Sequence, residues 1–515
     1  MKSAYNGHIV RRASWAIAAA LGGALASHAV AAPARDEKQP VVNVEQAPFS
    51  STTDHHGVFH GRSLNYRATA SQLDIKDAKG NPEARIFSVA YTETAASNSE
   101  SHTRPVTFLY NGGPGSASFW IHMGAFGPKI LPYNAMSPNA PVAPGHESVD
   151  NPDALLDVTD IVFIDPVGTG YSHALGTYHD ADFYTITKDA ASVSDFIRTW
   201  LTINKRWDSP RFIGGESYGT LRSAMILAAQ KWMAYNGVIL ISQGLDWGTV
   251  IMPPGYDLGY TLFLPTYAAT AWYHHKLATN GDDLQTTVSK AEAFASTDYA
   301  AALAKGAFID ANQTRQVAEK LAAITGIPAD VWVAQHLRID PDFFRRHLLD
   351  RENLRIGRFD TRFTIPVSSA YDPSDEADPS LDGEAAAYSN AMRQYLVQDL
   401  AVPGTETYEP LSSMTSESPW TYDLTNGAYV NPSVLIGEAM RENRQMTLFV
   451  ASGFYDSSSP VYSAKYNIGH SGVDLKRTTF TFYPTGHMMY VDPASRQHLL
   501  DDIRLYIRST LSGQR

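Results

Sequence analysis

The chain has no cysteine in 515 residues. It can close no disulfide and offer no thiolate to a metal, so its stability must come from an apolar core. It also lacks an excess of positive charge. Its 41 Lys and Arg stand against 53 Asp and Glu, for a net charge of −12 with no basic stripe. Nucleic acid and anionic membrane surfaces are poor partners for such a chain. Beyond the N-terminal segment no apolar run is long enough to read as a membrane span, and no internal repeat is found. What is present is a hydrophobic content of 44% and a charged content of 18%, the proportions of a soluble globular protein. The length suits one large core with an insertion, or two ordinary domains.

The N-terminal segment has the pattern of an export signal. Lys2, Arg11 and Arg12 give a positive start, Trp15 to Ala26 is apolar but too short to span a bilayer, and Ala29-Val30-Ala31 is a small-x-small cleavage site. This predicts a signal peptide over 1–31. The flanks of Arg11-Arg12 suit a general secretory route better than a twin-arginine one. With cysteine absent, the segment points to a bacterial protein, periplasmic or extracellular.

Three stretches follow. Over 41–100, Ser63–Ala68 and Arg85–Tyr91 alternate as antiparallel strands do. Over 101–245 strand and helix alternate. Asp160–Asp165 and Gly237–Ser242 read as strands, and Val193, Phe196, Ile197, Trp200 and Leu201 fall on one helix face. That alternation predicts an α/β fold: a mostly parallel central sheet with helices on both faces. Residues 250–435 break the pattern, with short helical stretches and an acidic, Pro-containing loop from Tyr371 to Glu384. Strand logic resumes at Gln445, and Asp492-Pro493 opens a final helix burying Leu499, Leu500, Ile503, Tyr506 and Ile507.

The most specific signal is Gly215-Glu216-Ser217-Tyr218-Gly219. An apolar strand precedes it, and a helical pattern follows with Leu221, Ala224, Met225, Ala228 and Trp232 on one face. Strand, sharp turn and helix lift a serine hydroxyl out of the backbone. A serine nucleophile needs a base, and the base an orienting acid, which in the α/β-hydrolase order follow the serine, acid first. Asp456 lies just past the strand Gln445–Ser452, and Gly486-His487 just past Arg477–Tyr483. An early strand, Pro105–Tyr110, runs into Asn111-Gly112-Gly113-Pro114-Gly115-Ser116, whose unblocked N–H groups could serve an oxyanion together with that of Tyr218. No Lys-Ser/Thr follows the glycines, which disfavours a phosphate loop. His55, His56, His60 and His274-His275 read as solvent-exposed histidines, and Gly469-His470 as a helix-end decoy, so no metal site is expected.

Asn111-Gly112-Gly113-Pro114-Gly115, Gly215–Gly219 and Gly486-His487-Met488 resemble the signature segments of the serine carboxypeptidases, α/β-hydrolase peptidases that include carboxypeptidase Y and cathepsin A. Asn151-Pro152 and Asp165–Ser172 resemble that family's intervening segment, and the resemblance covers roughly 100–245 and 440–495. It implies Ser217 as nucleophile, His487 as base, Asp456 as orienter, Gly113 and Tyr218 as oxyanion donors, and Asn111 and Glu216 as ligands of a substrate carboxylate. It also implies peptide or protein substrates, no cofactor, and a large inserted cap: core 41–248, cap 249–438, core 439–515. Three positions depart from the pattern: Ala125 stands for a second Glu, Leu109 for an aromatic and Ser116 for a Cys. A serine esterase or acyltransferase on the same scaffold is the alternative, and a non-catalytic binding protein a further one; the intact triad speaks against the last.

Overall fold

The computed structural model describes residues 47–94, 103–132, 148–278, 281–367, 378–404, 406–414, 419–422 and 430–513. The expected signal peptide and positions 371–377 of the acidic loop lie outside the described residues. Among these residues no helix is long and apolar enough to cross a membrane.

One large sheet organises the molecule. Its strands are β1 (Ser50–Phe59), β2 (Arg62–Lys76), β3 (Pro82–Glu93), β4 (Val106–Tyr110), β5 (Asp160–Ile164), β6 (Arg211–Glu216), β7 (Gly237–Ile241), β8 (Thr447–Gly453) and β9 (Thr478–Tyr483). Their order across the sheet is β1-β2-β3-β5-β4-β6-β7-β8-β9, with His173–Ala174 pairing beside β3. The first three are antiparallel, as is the β3–β5 pairing, whereas β5, β4, β6, β7, β8 and β9 run parallel. This is the mostly parallel sheet read from the sequence.

Strands buried on both faces read as continuous apolar runs. In β7, Val238 and Leu240 enter one apolar cluster while Ile239 and Ile241 enter the other, because successive side chains point to opposite faces. Helix α1 (Ile186–Ile203) covers the first face with Val193, Phe196, Ile197, Trp200 and Leu201. Its N-terminus is capped by the Thr185 side chain, which accepts from the Lys188 N–H at 3.1 Å. Helix α2 (Tyr218–Ala229) follows β6 on the same face.

Between β7 and β8 the described residues form helices and a separate two-stranded sheet, Leu354–Ile356 with Thr364–Pro366. Helix α3 (Leu258–Tyr273) anchors there an apolar cluster of its own with Tyr267, Trp332 and Phe344. Helix α4 (Asp382–Gln398) returns toward the core, placing Tyr388 and Tyr395 against it. After β8 comes α5 (Val461–His470), and after β9 comes α6 (Pro493–Gly513), which buries Leu499, Leu500, Ile503, Tyr506 and Ile507 on the second face. Asp492 caps α6, its carboxylate accepting from the Ser495 N–H at 2.8 Å.

One sequence expectation fails. Trp232 does not continue the inner face of α2: the helix ends at Ala229 and Trp232 is 99% exposed. The chain must leave the helix to reach β7, and the turn buries Met233 and Tyr235 instead.

Trp200 is buried and meets Phe108 edge-to-face at 5.4 Å. Trp200→Ala is therefore expected to lower stability by about 3–5 kcal/mol, measured as a fall in the urea midpoint.

Candidate active site

The parallel strands all point their carboxyl ends to one edge, and the residues singled out from the sequence gather there. β6 is buried up to Glu216, then the chain turns at Ser217 into α2. Ser217 adopts φ 58°, ψ −127°, a left-side conformation for a residue with a side chain, and is partly exposed between buried neighbours. Its N–H donates to Ile241 O at 2.9 Å, which ties the turn to β7. The turn is so tight that a Cβ on Gly215 would lie 2.2 Å from Gly219 O. A Cβ on Gly112 would lie 2.5 Å from Tyr218 N, so the glycine-rich loop after β4 presses against the turn from the other side. Neither Gly113 N–H nor Tyr218 N–H donates to an acceptor among the described residues.

Behind the turn, a buried ion pair fixes the same loop to α2. The Arg222 guanidinium bonds both Asp189 oxygens at 2.7 and 3.1 Å and donates to Asn111 O at 2.6 Å. Tyr218 adds a hydroxyl donor to Asp189 at 3.2 Å.

Asp456 and His487 follow β8 and β9, neighbours in the sheet. His487 Nδ1 bonds Asp456 Oδ2 at 2.7 Å, and both groups are buried. The other Asp456 oxygen accepts the Ser458 and Ser459 N–H groups at 2.8 Å each. Ser242, just past β7, donates its hydroxyl to His487 O at 2.6 Å. His487 Nε2 is buried with no hydrogen-bond partner among the described residues. Burial works to lower the imidazole pKa, but the Asp456 charge, their hydrogen bond and the Glu216 charge outweigh it and leave His487 above its ordinary value.

Glu216 precedes Ser217 and points into the same edge. Its Oε1 accepts from Asn111 Nδ2 at 2.9 Å and from the Tyr490 hydroxyl at 3.2 Å, while Oε2 is buried and unpartnered among the described residues. Asn111 is oriented by the Ile121 N–H, which donates to its Oδ1 at 3.1 Å. Burial pushes the Glu216 carboxyl up to about 7 against the opposing influence of His487 and the two hydrogen bonds. Ala125, where the resemblance expects a second Glu, is fully buried, and its carbonyl accepts from Asn151 Nδ2 at 2.7 Å. Tyr490 packs against the preceding residue: a Cβ on Gly124 would be 2.3 Å from its ring. Tyr490 thus reaches Glu216 from the side where the acid is missing. Beyond it lies Glu384, buried with both oxygens unpartnered among the described residues and held well above the usual carboxylate range by burial.

The residues the sequence did not reveal come from the insertion. Residues 357–363 pass across both triad loops. Phe359 O accepts the His487 N–H at 2.7 Å, Arg358 O the Ser457 N–H at 3.1 Å, and Tyr455 O the Thr361 N–H at 2.9 Å. Asp360 accepts the Gly486 N–H at 3.0 Å and pairs with Arg362 at 2.6 Å, while Arg362 donates to Pro484 O and Thr485 Oγ1 at 3.0 and 2.9 Å. The Phe359 ring lies 5.2 Å from the His487 ring. Most of these bonds use backbone atoms, which leave no side-chain signature to read; Tyr490, three residues past His487, was the one signal within reach.

Of the other histidines, His274 is half-buried rather than solvent-exposed, and its Nε2 bonds Thr361 O at 2.7 Å in the bracing segment. His55 and His56 bond Thr53 and Ser63 on the edge hairpin, and His470 bonds its own helix through Tyr466 O. Ser116 is buried and donates to Ala117 O at 3.0 Å, and Leu109 is core.

A mostly parallel sheet carrying helices on both faces, with Ser, Asp and His in that order past the ends of β6, β8 and β9, defines an α/β-hydrolase fold. Comparison with known proteins agrees. Residues 83–228 match the family model for serine carboxypeptidases. Serine carboxypeptidase-like 16 of Arabidopsis thaliana is 33% identical over 127 residues, 24% of this chain and 27% of that protein. The chain thus spans about a quarter of the length of the curated relative it matches. Kex1Δp, a prohormone-processing carboxypeptidase from Saccharomyces cerevisiae, superimposes over 86% of this chain and 92% of its own with a TM-score of 0.51 at 12% identity, a likeness of fold. A proline iminopeptidase of Mycobacterium smegmatis aligns over 86% of this chain and all of its own with a TM-score of 0.36 at 11% identity. Over residues 83–228 the chain is thus similar to the serine carboxypeptidase family, and over most of its length it shares the fold of a carboxypeptidase.

Gly112→Ala tests the crowding at the turn. The added methyl must displace the backbone of Glu216, Tyr218 and Gly219, at a cost of about 1–3 kcal/mol in thermal or urea unfolding. Shifting the turn is expected to slow modification of Ser217 by a fluorophosphonate about 100-fold, read by intact mass.

Proposed function

We propose that this protein is an exported serine carboxypeptidase, which cleaves the last peptide bond of peptides through an acyl-enzyme. Ser217 attacks the scissile carbonyl while His487 Nε2 takes its proton, with Asp456 holding the imidazole tautomer. The N–H groups of Gly113 and Tyr218 receive the oxyanion. Collapse of the tetrahedral adduct breaks the C–N bond, and His487 gives its proton to the departing amine. Water, deprotonated by the same imidazole, then releases the acyl group from Ser217. Among the described residues no hydrogen bond joins Ser217 Oγ to His487 Nε2, so in this reading that bond closes as substrate binds, while the Gly113 and Tyr218 N–H groups, without acceptors among the described residues, are left for the oxyanion. Residues 249–438 act as the cap and 1–31 as the export segment in this reading.

The observation that carries the exopeptidase reading is Glu216 Oε2, a buried oxygen without a partner among the described residues, next in the chain to the proposed nucleophile. Below about 7 the carboxyl is neutral. Its proton can then sit on Oε2 and bond a substrate carboxylate, an arrangement two charged carboxylates could not share. Asn111 would be the second ligand and Tyr490 the support. The rival reading, an esterase or acyltransferase, is favoured by one observation: Ala125 offers no second carboxyl.

An N-blocked dipeptide with a free or an amidated C-terminus separates them. Cleavage of the free acid alone is expected; equal cleavage of both forms, or of esters alone, would replace the carboxypeptidase reading with a general serine hydrolase. Ser217→Ala should lose on the order of 10⁴-fold in rate, and near-normal turnover in it would reject the nucleophile assignment.

The pH profile follows from the two groups. As pH rises through about 7, Glu216 ionises, so KM for the free acid should climb. As pH falls, the raised His487 protonates and kcat should drop. Glu216→Gln keeps a neutral donor, so it should remove the alkaline rise in KM. Without the Glu216 charge, His487 should also titrate lower, moving the acid limb of kcat downward.

A further inference from the structure

Arg358 places a positive charge at the site that the catalytic steps do not use. Its backbone is pinned on both sides: the N–H donates to Asp378 at 3.0 and 3.2 Å, and the carbonyl accepts from Ser457 N–H at 3.1 Å. The guanidinium carbon lies 5.2 Å from the centre of the Phe359 ring, whose other neighbour is the His487 ring. One long contact, 3.5 Å to Ser458 Oγ, is its single hydrogen bond among the described residues, and it forms no ion pair there. The acids around it, Asp378, Asp342 and Asp456, act on its charge at a distance, while their direct side-chain partners are other groups. Asp456 holds His487 and two backbone N–H groups, Asp342 pairs with Arg345 at 2.6 Å, and Asp378 accepts from the N–H and hydroxyl of Ser380. An arginine carries five donors in a fixed fork suited to a carboxylate. This one is held in place beside the triad in a residue that is only partly exposed; burial lowers its pKa against the opposing charge of Asp378, and most of its fork has no partner among the described residues.

We propose that Arg358 binds a carboxylate side chain of the substrate, so that peptides with an acidic residue flanking the scissile bond are preferred. The inference rests on the peptidase reading of the site and names its substrate class. The alternative role, bracing the 357–363 segment by stacking on Phe359, needs no acidic substrate and predicts no preference.

Two pairs of N-blocked dipeptides test it, matched as Glu and Gln first at the residue before the scissile bond, then at the residue after it. In the unmodified protein kcat/KM for the Glu member of one pair is expected to exceed the Gln member by roughly tenfold or more, the worth of a charge-assisted hydrogen bond. The position showing the preference identifies which substrate residue Arg358 meets. Salt should weaken the preference. Arg358→Gln should bring the ratio to about one, Arg358→Lys should retain part of it, and Arg358→Glu should turn it toward a Lys peptide. A ratio near one in the unmodified protein, or one unchanged in folded Arg358→Gln, would overturn the assignment. The same ratio is read as Kd in the Ser217→Ala background, where peptides bind without turnover. If no peptide is cleaved the peptidase reading fails, while this binding ratio, with and without Arg358→Gln, still decides the role of Arg358.

Discussion

The backbone at Ser217 is held where a side-chain-bearing residue is uncomfortable, at φ 58°, for a cost on the order of 1–3 kcal/mol. Such a conformation persists only when its surroundings over-determine it. Here they do so from four directions: β6 enters as a buried central strand, Ile241 O accepts the Ser217 N–H, α2 leaves at once, and Gly112 leans on Tyr218 N. The Arg222–Asp189 pair then binds the Gly112 loop to the helix that follows the turn. Relaxing any of these would move the serine hydroxyl, the Tyr218 N–H and Glu216 together, because they are consecutive on one rigid segment.

That adjacency also couples two titrations. The Glu216 charge raises His487, and protonated His487 lowers Glu216. The proposed mechanism needs a proton on the carboxyl and none on the imidazole, whereas electrostatics favours the reverse. The two groups therefore titrate as a pair, with apparent values that belong to both. Tyr490 and Asn111, by donating to Glu216 Oε1, decide which carboxyl oxygen is left for a ligand.

How much of this was legible in the sequence depended on what kind of atom carries the information. The central strands announced themselves because burial on both faces demands unbroken apolar runs, as in Gly237–Ile241. Ser217, Asp456 and His487 could be singled out as candidates because each sits just past such a run. Trp232 misled because helical periodicity does not say where a helix stops; the turn toward β7 does. The brace at 357–363 was invisible because Phe359 and Arg358 act on the triad loops through carbonyl oxygens, which every residue has. Ala125 was legible as an absence, but not that Tyr490 would approach Glu216 from that side.

The segment from Gly357 to Phe363 gives the insertion two duties at once. Arg358, proposed to meet an acidic substrate side chain, lies beside the Asp456 loop, and the next four residues hold the loops of Asp456 and His487 in register. On the proposed reading, selectivity and chemical competence are thus written into one short stretch of chain. A chimera that exchanges the whole insertion for another would lose the support of its own base together with the old preference. Redesign of this scaffold is consequently not modular at the obvious seams. The exchangeable piece is the part of the insertion on either side of this segment, and the segment itself has to travel with the core.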